Sequence, residues 1–168
     1  MIRSPHTVLF FLFGICTLFF SCQQDEPLIP EERTFPLVDQ RLWSYFEAFE
    51  IEAANRGIEV NLVQERITGV IEAIDEEHVA GQCSYSAVTP GEVTVDDEFW
   101  TRSNSTFREF IIFHELGHCY LMRDHREDKD QFGFCKSLMR SGVEDCQDRY
   151  NLQTRKVYID ELFFPEDF

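Results

Sequence analysis

Residues 105 to 125 read STFREFIIFHELGHCYLMRDH, and the reading of the whole chain starts from them. Thr106 and Glu109 stand at the spacing of a capping box. They predict the start of a helix running from Phe107 to about Leu121. Phe110, Ile111, Ile112, Phe113 and Leu116 make more than one side of it apolar, so the helix belongs in the core. His114 and His118 are four residues apart and share one helical face. A buried helix does not carry two imidazoles on its core side without partners, whereas one metal ion can take both. Glu115, beside His114, can then draw a proton from a water at that ion. Three of the chain's 5 His (His114, His118 and His125) fall inside this stretch.

Outward from the helix, the periodicity predicts an α+β domain. Asp39 to Arg56 reads as a helix with Leu42, Phe46, Phe49 and Ala53 on one stripe. Asp39 is placed to cap it, Val38 and Trp43 to form a hydrophobic staple, and Gly57 to end it. Ile58 to Leu62 alternates apolar with polar and predicts a strand. Ile67 to Ile74, Cys83 to Ala87 and Glu92 to Asp96 predict three more, the last two separated by the turn Thr89-Pro90-Gly91. A last helix is expected over Thr154 to Phe164. A helix, several strands and then a buried helix place the fold in the α+β class.

His114-Glu115-Leu116-Gly117-His118 resembles the active-site helix of the metzincin clan of zinc peptidases. The long motif of that clan continues with a Gly and then a third His or Asp, and a Met-containing turn follows beneath the metal. Leu121 stands at the Gly position, Asp124 at the third-ligand position in strict register, and His125 one residue later. A catalytic zinc takes three protein ligands and keeps one position open. His125 is the preferred third ligand, because one extra residue can rebuild the turn, with Asp124 as the alternative. Ser137-Leu138-Met139 resembles the Met-turn. The resemblance implies a zincin-like fold, with a small twisted mixed sheet, an active-site helix and a C-terminal helix. It implies peptide hydrolysis by a zinc-activated water with Glu115 as general base. It further implies a substrate peptide pairing with the strand Glu92–Asp96, and a Tyr, Tyr150 or Tyr158, assisting the oxyanion.

Residues 8 to 20 read VLFFLFGICTLFF, shorter than the ~20 residues a membrane-spanning helix needs. With Arg3 before it and Ser21-Cys22 behind, this is a secretory signal. The Cys after the small residue resembles a bacterial lipoprotein signal of the Bacteroidetes type, and Gln23-Gln24-Asp25-Glu26 resembles the surface-export signal of that type. The expected organisation is a signal over residues 1–21, an acylated Cys22 with a Pro-rich tether over 22–36, and the peptidase-like domain over 37–168. That implies a monomeric head, lipid-anchored to the cell envelope at the outer membrane, acting on peptide or protein substrates. The 168 residues carry 15 Lys+Arg against 31 Asp+Glu, a net charge of -16, which excludes phosphate-backbone (nucleic-acid) binding.

Beyond Cys16 and Cys22, four Cys remain: Cys83, Cys119, Cys135 and Cys146. In an exported chain they predict two disulfides, with three pairings open. A link from Cys119 to Cys135 or Cys146 would fasten the ligand loop to the helix. His78, in an acidic turn, reads as a surface residue. Two alternatives stand beside the metzincin reading. Glu144 could supply a gluzincin-like third ligand. In a different class, a non-catalytic zinc-containing lipoprotein would bind a protein or glycan partner in the same cleft.

Overall fold

Asp39 opens the first helical segment, its carboxylate accepting from the Arg41 backbone N–H at 2.9 Å. A 3-10 turn, Gln40–Leu42, leads into α1, Trp43–Ala54. The Trp43 indole N–H donates to the Val38 carbonyl at 2.9 Å, fixing how the chain enters. Leu42, Phe46, Phe49 and Ala53 are fully buried, as their spacing predicts. The computed structural model describes residues 33–142 and 148–168. The signal, Cys22, most of the tether, Glu144 and Cys146 lie outside the described residues. Phe35 and Arg33, assigned to the tether from composition, pack on the domain: Phe35 is buried and Arg33 pairs with Glu50 at 2.6 Å.

Ile58 to Leu62 is not a strand. It is extended chain that turns at 62–66. The Leu62 N–H is taken by the Glu50 carboxylate at 2.8 Å, and the Leu62 carbonyl accepts from Ile67 N–H at 2.9 Å. Groups that a ladder would use are thus committed locally.

Three strands form the sheet: β1 Thr68–Glu72, β2 Gly81–Ser84 and β3 Glu92–Asp96. Their order is β1-β3-β2. β1 runs parallel to β3, with Val70 opposite Thr94, and β2 runs antiparallel to it, with Cys83 opposite Val93. The sheet is therefore mixed. β2 sits two residues earlier than expected, because residues 85–91 form the connecting loop. β3 is central and paired on both sides, which overturns the expectation that Glu92–Asp96 is the strand open to a peptide. Among the described residues the outer side of β2 is unpaired.

A short helix absent from the sequence reading follows directly: α2, Asp97–Arg102. Asp96 caps it by accepting from Phe99 N–H at 2.7 Å, with Asp97 and Glu98 in its first turn as the helix dipole favours. Then comes α3, Ser105–Cys119. Its cap is Asn104, whose side chain accepts from Phe107 N–H at 2.9 Å. The Thr106–Glu109 box does not form, because Glu109 accepts from Arg155 (2.7 Å and 3.0 Å) and from the Tyr150 hydroxyl (2.5 Å) instead. Two bonds from a guanidinium and one from a hydroxyl outweigh the single backbone N–H that the box would offer this carboxylate.

α3 lies against β2 and β3 on one side and α1 on the other. Val93, Val95, Ile112, Phe113 and Leu116 are fully buried between them. Phe49 meets Phe113 edge to face at 5.2 Å. Among the described residues no further strand follows α3 before α4, Arg155–Phe163, close to the expected last helix. Cys83 of β2 is disulfide-bonded to Cys119 at the end of α3, one of the three pairings the sequence leaves open, so Cys119 links to neither Cys135 nor Cys146. The hairpin brings β2 to the helix end, while Cys135 is bridged elsewhere. Among the described residues no helix is long and apolar enough to cross a membrane.

Candidate metal centre

The two helical histidines emerge side by side from the last turns of α3. Their Nε2 atoms are 3.0 Å apart. The Nε2 of His125, on the loop after the helix, lies 3.1 Å from that of His118. All three ligand atoms fall within 4.8 Å of one another, so His114, His118 and His125 could hold one metal ion. Nitrogens bound to a tetrahedral ion at ~2.0–2.1 Å stand about 3.3 Å apart, close to the spacing found. Asp124 is exposed and lies outside the converging set.

Backbone carbonyls fix the rings. His114 Nδ1–H donates to the Leu138 carbonyl at 2.7 Å, and His118 Nδ1–H donates to the Arg123 carbonyl at 2.6 Å. Each bond sets the tautomer that leaves the Nε2 lone pair facing the cluster, a usual arrangement around metal ligands. Burial pushes the His114 imidazole down to about 4, with the neighbouring His118 and His125 acting in the same direction. Burial also lowers His118. The helical pair is therefore neutral near pH 7, as ligation requires.

The turn that delivers His125 is made without glycine. The Arg123 N–H reaches back to the Gly117 carbonyl at 2.9 Å, and Met122 takes φ 54°. The left-handed residue sits three before His125, the interval that separates Gly from the third ligand in the metzincin motif. Counted against that motif, the left-handed turn falls one residue later, at Met122 rather than Leu121.

Beneath the helix lies the Ser137-Leu138-Met139 turn. Met139 is fully buried, and a Cβ at Gly117 would stand 2.5 Å from its Sδ. Gly117, between the two histidines, is what lets this turn approach. Gly81 of β2 serves the other side: a Cβ there would come 2.9 Å from Glu115 Oε1. Glu115 is buried and, among the described residues, has no hydrogen-bond partner. Burial pushes its carboxyl up to about 8.

Glu115 and the three histidines line a cleft of about 1530 Å³ that also takes in Gly81 and Gln82 of β2. Tyr150 and Tyr158 do not line it. The Tyr150 hydroxyl is given to Glu109 and that of Tyr158 to the Cys135 carbonyl at 2.8 Å, so neither is placed to assist an oxyanion. His78 is exposed at the cleft rim. Comparison with known protein families, characterised proteins and solved structures finds no match. The site is thus read from its own geometry.

Sequence reading missed the carboxylate below the histidines. Glu161 of α4 is completely buried, and nothing in its local sequence marks it. Its partners are 24 to 38 residues away along the chain.

Proposed function

We propose that this chain is a zinc-dependent metalloendopeptidase. The observation that carries the reading is the convergence of three imidazole nitrogens, two of them oriented by backbone carbonyls, in an open cleft, with the unpartnered Glu115 carboxylate beside them. Three imidazoles suit zinc, and the cleft leaves a position for water and substrate. When bound, zinc supplies Lewis-acid polarisation of a carbonyl and lowers the pKa of water.

This chain's residues do the rest. His114, His118 and His125 hold the ion, the first two locked by their carbonyl partners. Glu115 accepts the proton of the attacking water and passes it to the leaving amine. The unpaired outer side of β2 offers backbone groups to an extended peptide alongside the helix. The disulfide between Cys83 and Cys119 suits an oxidising compartment. It agrees with export under the signal read in residues 1–21; lipid anchoring at Cys22 and a monomeric domain at the cell envelope are proposed on the sequence alone.

Glu115→Gln keeps the shape and removes the base. The expected result is unchanged zinc content with cleavage of a peptide library reduced by at least ~10²-fold, the usual share of general-base catalysis. Wild-type protein that binds zinc yet cleaves no peptide would instead favour the non-catalytic binding protein. Unchanged cleavage by the variant would remove Glu115 from the mechanism.

A further inference from the structure

We infer that Glu161 is a positioning residue that sets the three histidines in register for the metal. The inference rests on the metal reading of the site and extends it to a residue on a different element. Glu161 lies on α4 with its side chain fully buried. Its Oε1 accepts from Arg123 at 2.8 Å and from Arg126 at 3.0 Å. Its Oε2 accepts from the Ser137 hydroxyl at 2.6 Å. One carboxylate thus gathers the ligand loop and the Met139 turn onto the C-terminal helix.

Each histidine is reached through one of these partners. Arg123 supplies the carbonyl that takes the His118 Nδ1 proton, while its guanidinium is held by Glu161 and by the Glu161 and Leu162 carbonyls at 3.0 and 2.7 Å. Ser137 Oγ accepts from Met139 N–H at 2.9 Å. It thereby braces the turn whose Leu138 carbonyl takes the His114 proton. His125 stands between Arg123 and Arg126, and the Arg126 N–H donates to the Met139 carbonyl at 2.7 Å. The loop ligand is therefore held from both flanks by side chains that converge on Glu161. Two guanidinium groups and a hydroxyl on one buried carboxylate form a fully satisfied network, the kind that fixes a single geometry.

Asp160, the preceding residue, supplies the control. It pairs with Arg56 and Lys156 and touches neither the ligand loop nor the Met139 turn. The full chain is loaded with zinc against a chromophoric chelator, and with cobalt for its visible absorption spectrum. Thermal unfolding is recorded on the same samples. Glu161→Gln is expected to weaken zinc by about 10- to 100-fold, as loss of groups that orient metal ligands does, and to alter the cobalt bands. Asp160→Asn is expected to lower the melting temperature while leaving affinity and spectrum unchanged. If Glu161→Gln does not fold, Arg126→Met, which leaves Glu161 paired with Arg123, carries the same expectation. Wild-type affinity and spectrum in the folded variant overturn the inference, as does an equal loss in Asp160→Asn. A wild type that takes up no metal overturns the metal reading and this inference with it. Metal bound as expected but no peptide cleaved overturns only the peptidase proposal.

Discussion

The candidate metal centre has two halves built in different ways. His114 and His118 sit on α3, where one buried helix sets both side chains by its own period. His125 sits on a loop whose position depends on Met122, on the turn carrying Met139 and on a helix more than 30 residues further on. The first half is a local consequence of secondary structure. The second exists only once the tertiary fold has closed. A helix with two histidines therefore becomes a complete site only through contacts that its own sequence does not contain.

The largest expected effect separates the halves directly. Replacing any of the three histidines by Ala should cut zinc affinity by orders of magnitude, but not equally. His125→Ala leaves a ligand pair preorganised by the helix, whereas His114→Ala leaves one helical and one loop ligand. The helical pair is spaced by α3 itself, whereas a pair that includes His125 relies on the bracing by Glu161, so residual zinc affinity should be about tenfold better in His125→Ala, the lower end of what groups that orient ligands contribute. Chelator competition measures both, and equal residual affinities would abolish the distinction between the two halves. A second change acts at the seam. Gly117→Ala brings a Cβ to 2.5 Å from Met139 Sδ; overpacking costs ~1–3 kcal/mol against ~1 kcal/mol that Ala gains over Gly inside a helix, a net loss of up to about 2 kcal/mol. Urea unfolding should show that loss, with weaker zinc binding as the turn is pushed from the helix.

The smallest change concerns the loop half alone. Met122 is largely exposed and holds a left-handed conformation that costs a side-chain-bearing residue ~1–2 kcal/mol. Met122→Gly removes that strain but adds ~0.5–1 kcal/mol of unfolded-state entropy. The net expectation is a stability equal to wild type or up to about 1 kcal/mol higher, read from urea unfolding. A clear loss would show that the Met122 side chain contributes something the turn geometry does not.

The same division explains what the sequence disclosed. α3, its two histidines and Glu115 were legible because a helical period and a metal-ligand spacing are both local patterns. The buried stripe of α1 was legible for the same reason. His125 could be preferred over Asp124 on ligand chemistry, but the Met122 turn that delivers it leaves no signature, since Met has no preference for a left-handed backbone. α2 was missed because six residues are too few to show a period beside a strong strand. Residues 58–62 misled because alternation records which side chains are half-buried, and Glu50 had already claimed the Leu62 N–H. The Thr106–Glu109 box failed to a competitor, Arg155, that lies 46 residues away from Glu109. Glu161 was invisible because its role is defined by Arg123, Arg126 and Ser137, none of them its sequence neighbours.

The bond between Cys83 and Cys119 has a mechanical consequence. Cys119 follows His118 directly, and Cys83 lies in the strand that lines the cleft, so helix end and strand are tied by one covalent strut. That side of the cleft is a fixed jaw, unable to spread when a bulky chain enters. Arg140, Ser141 and Gly142 also border the opening, and these described residues belong to neither strand nor helix. Under the proposed peptidase function, a peptide held against the tied strand and helix end would keep its backbone in one register over Glu115, whatever the size of its side chains.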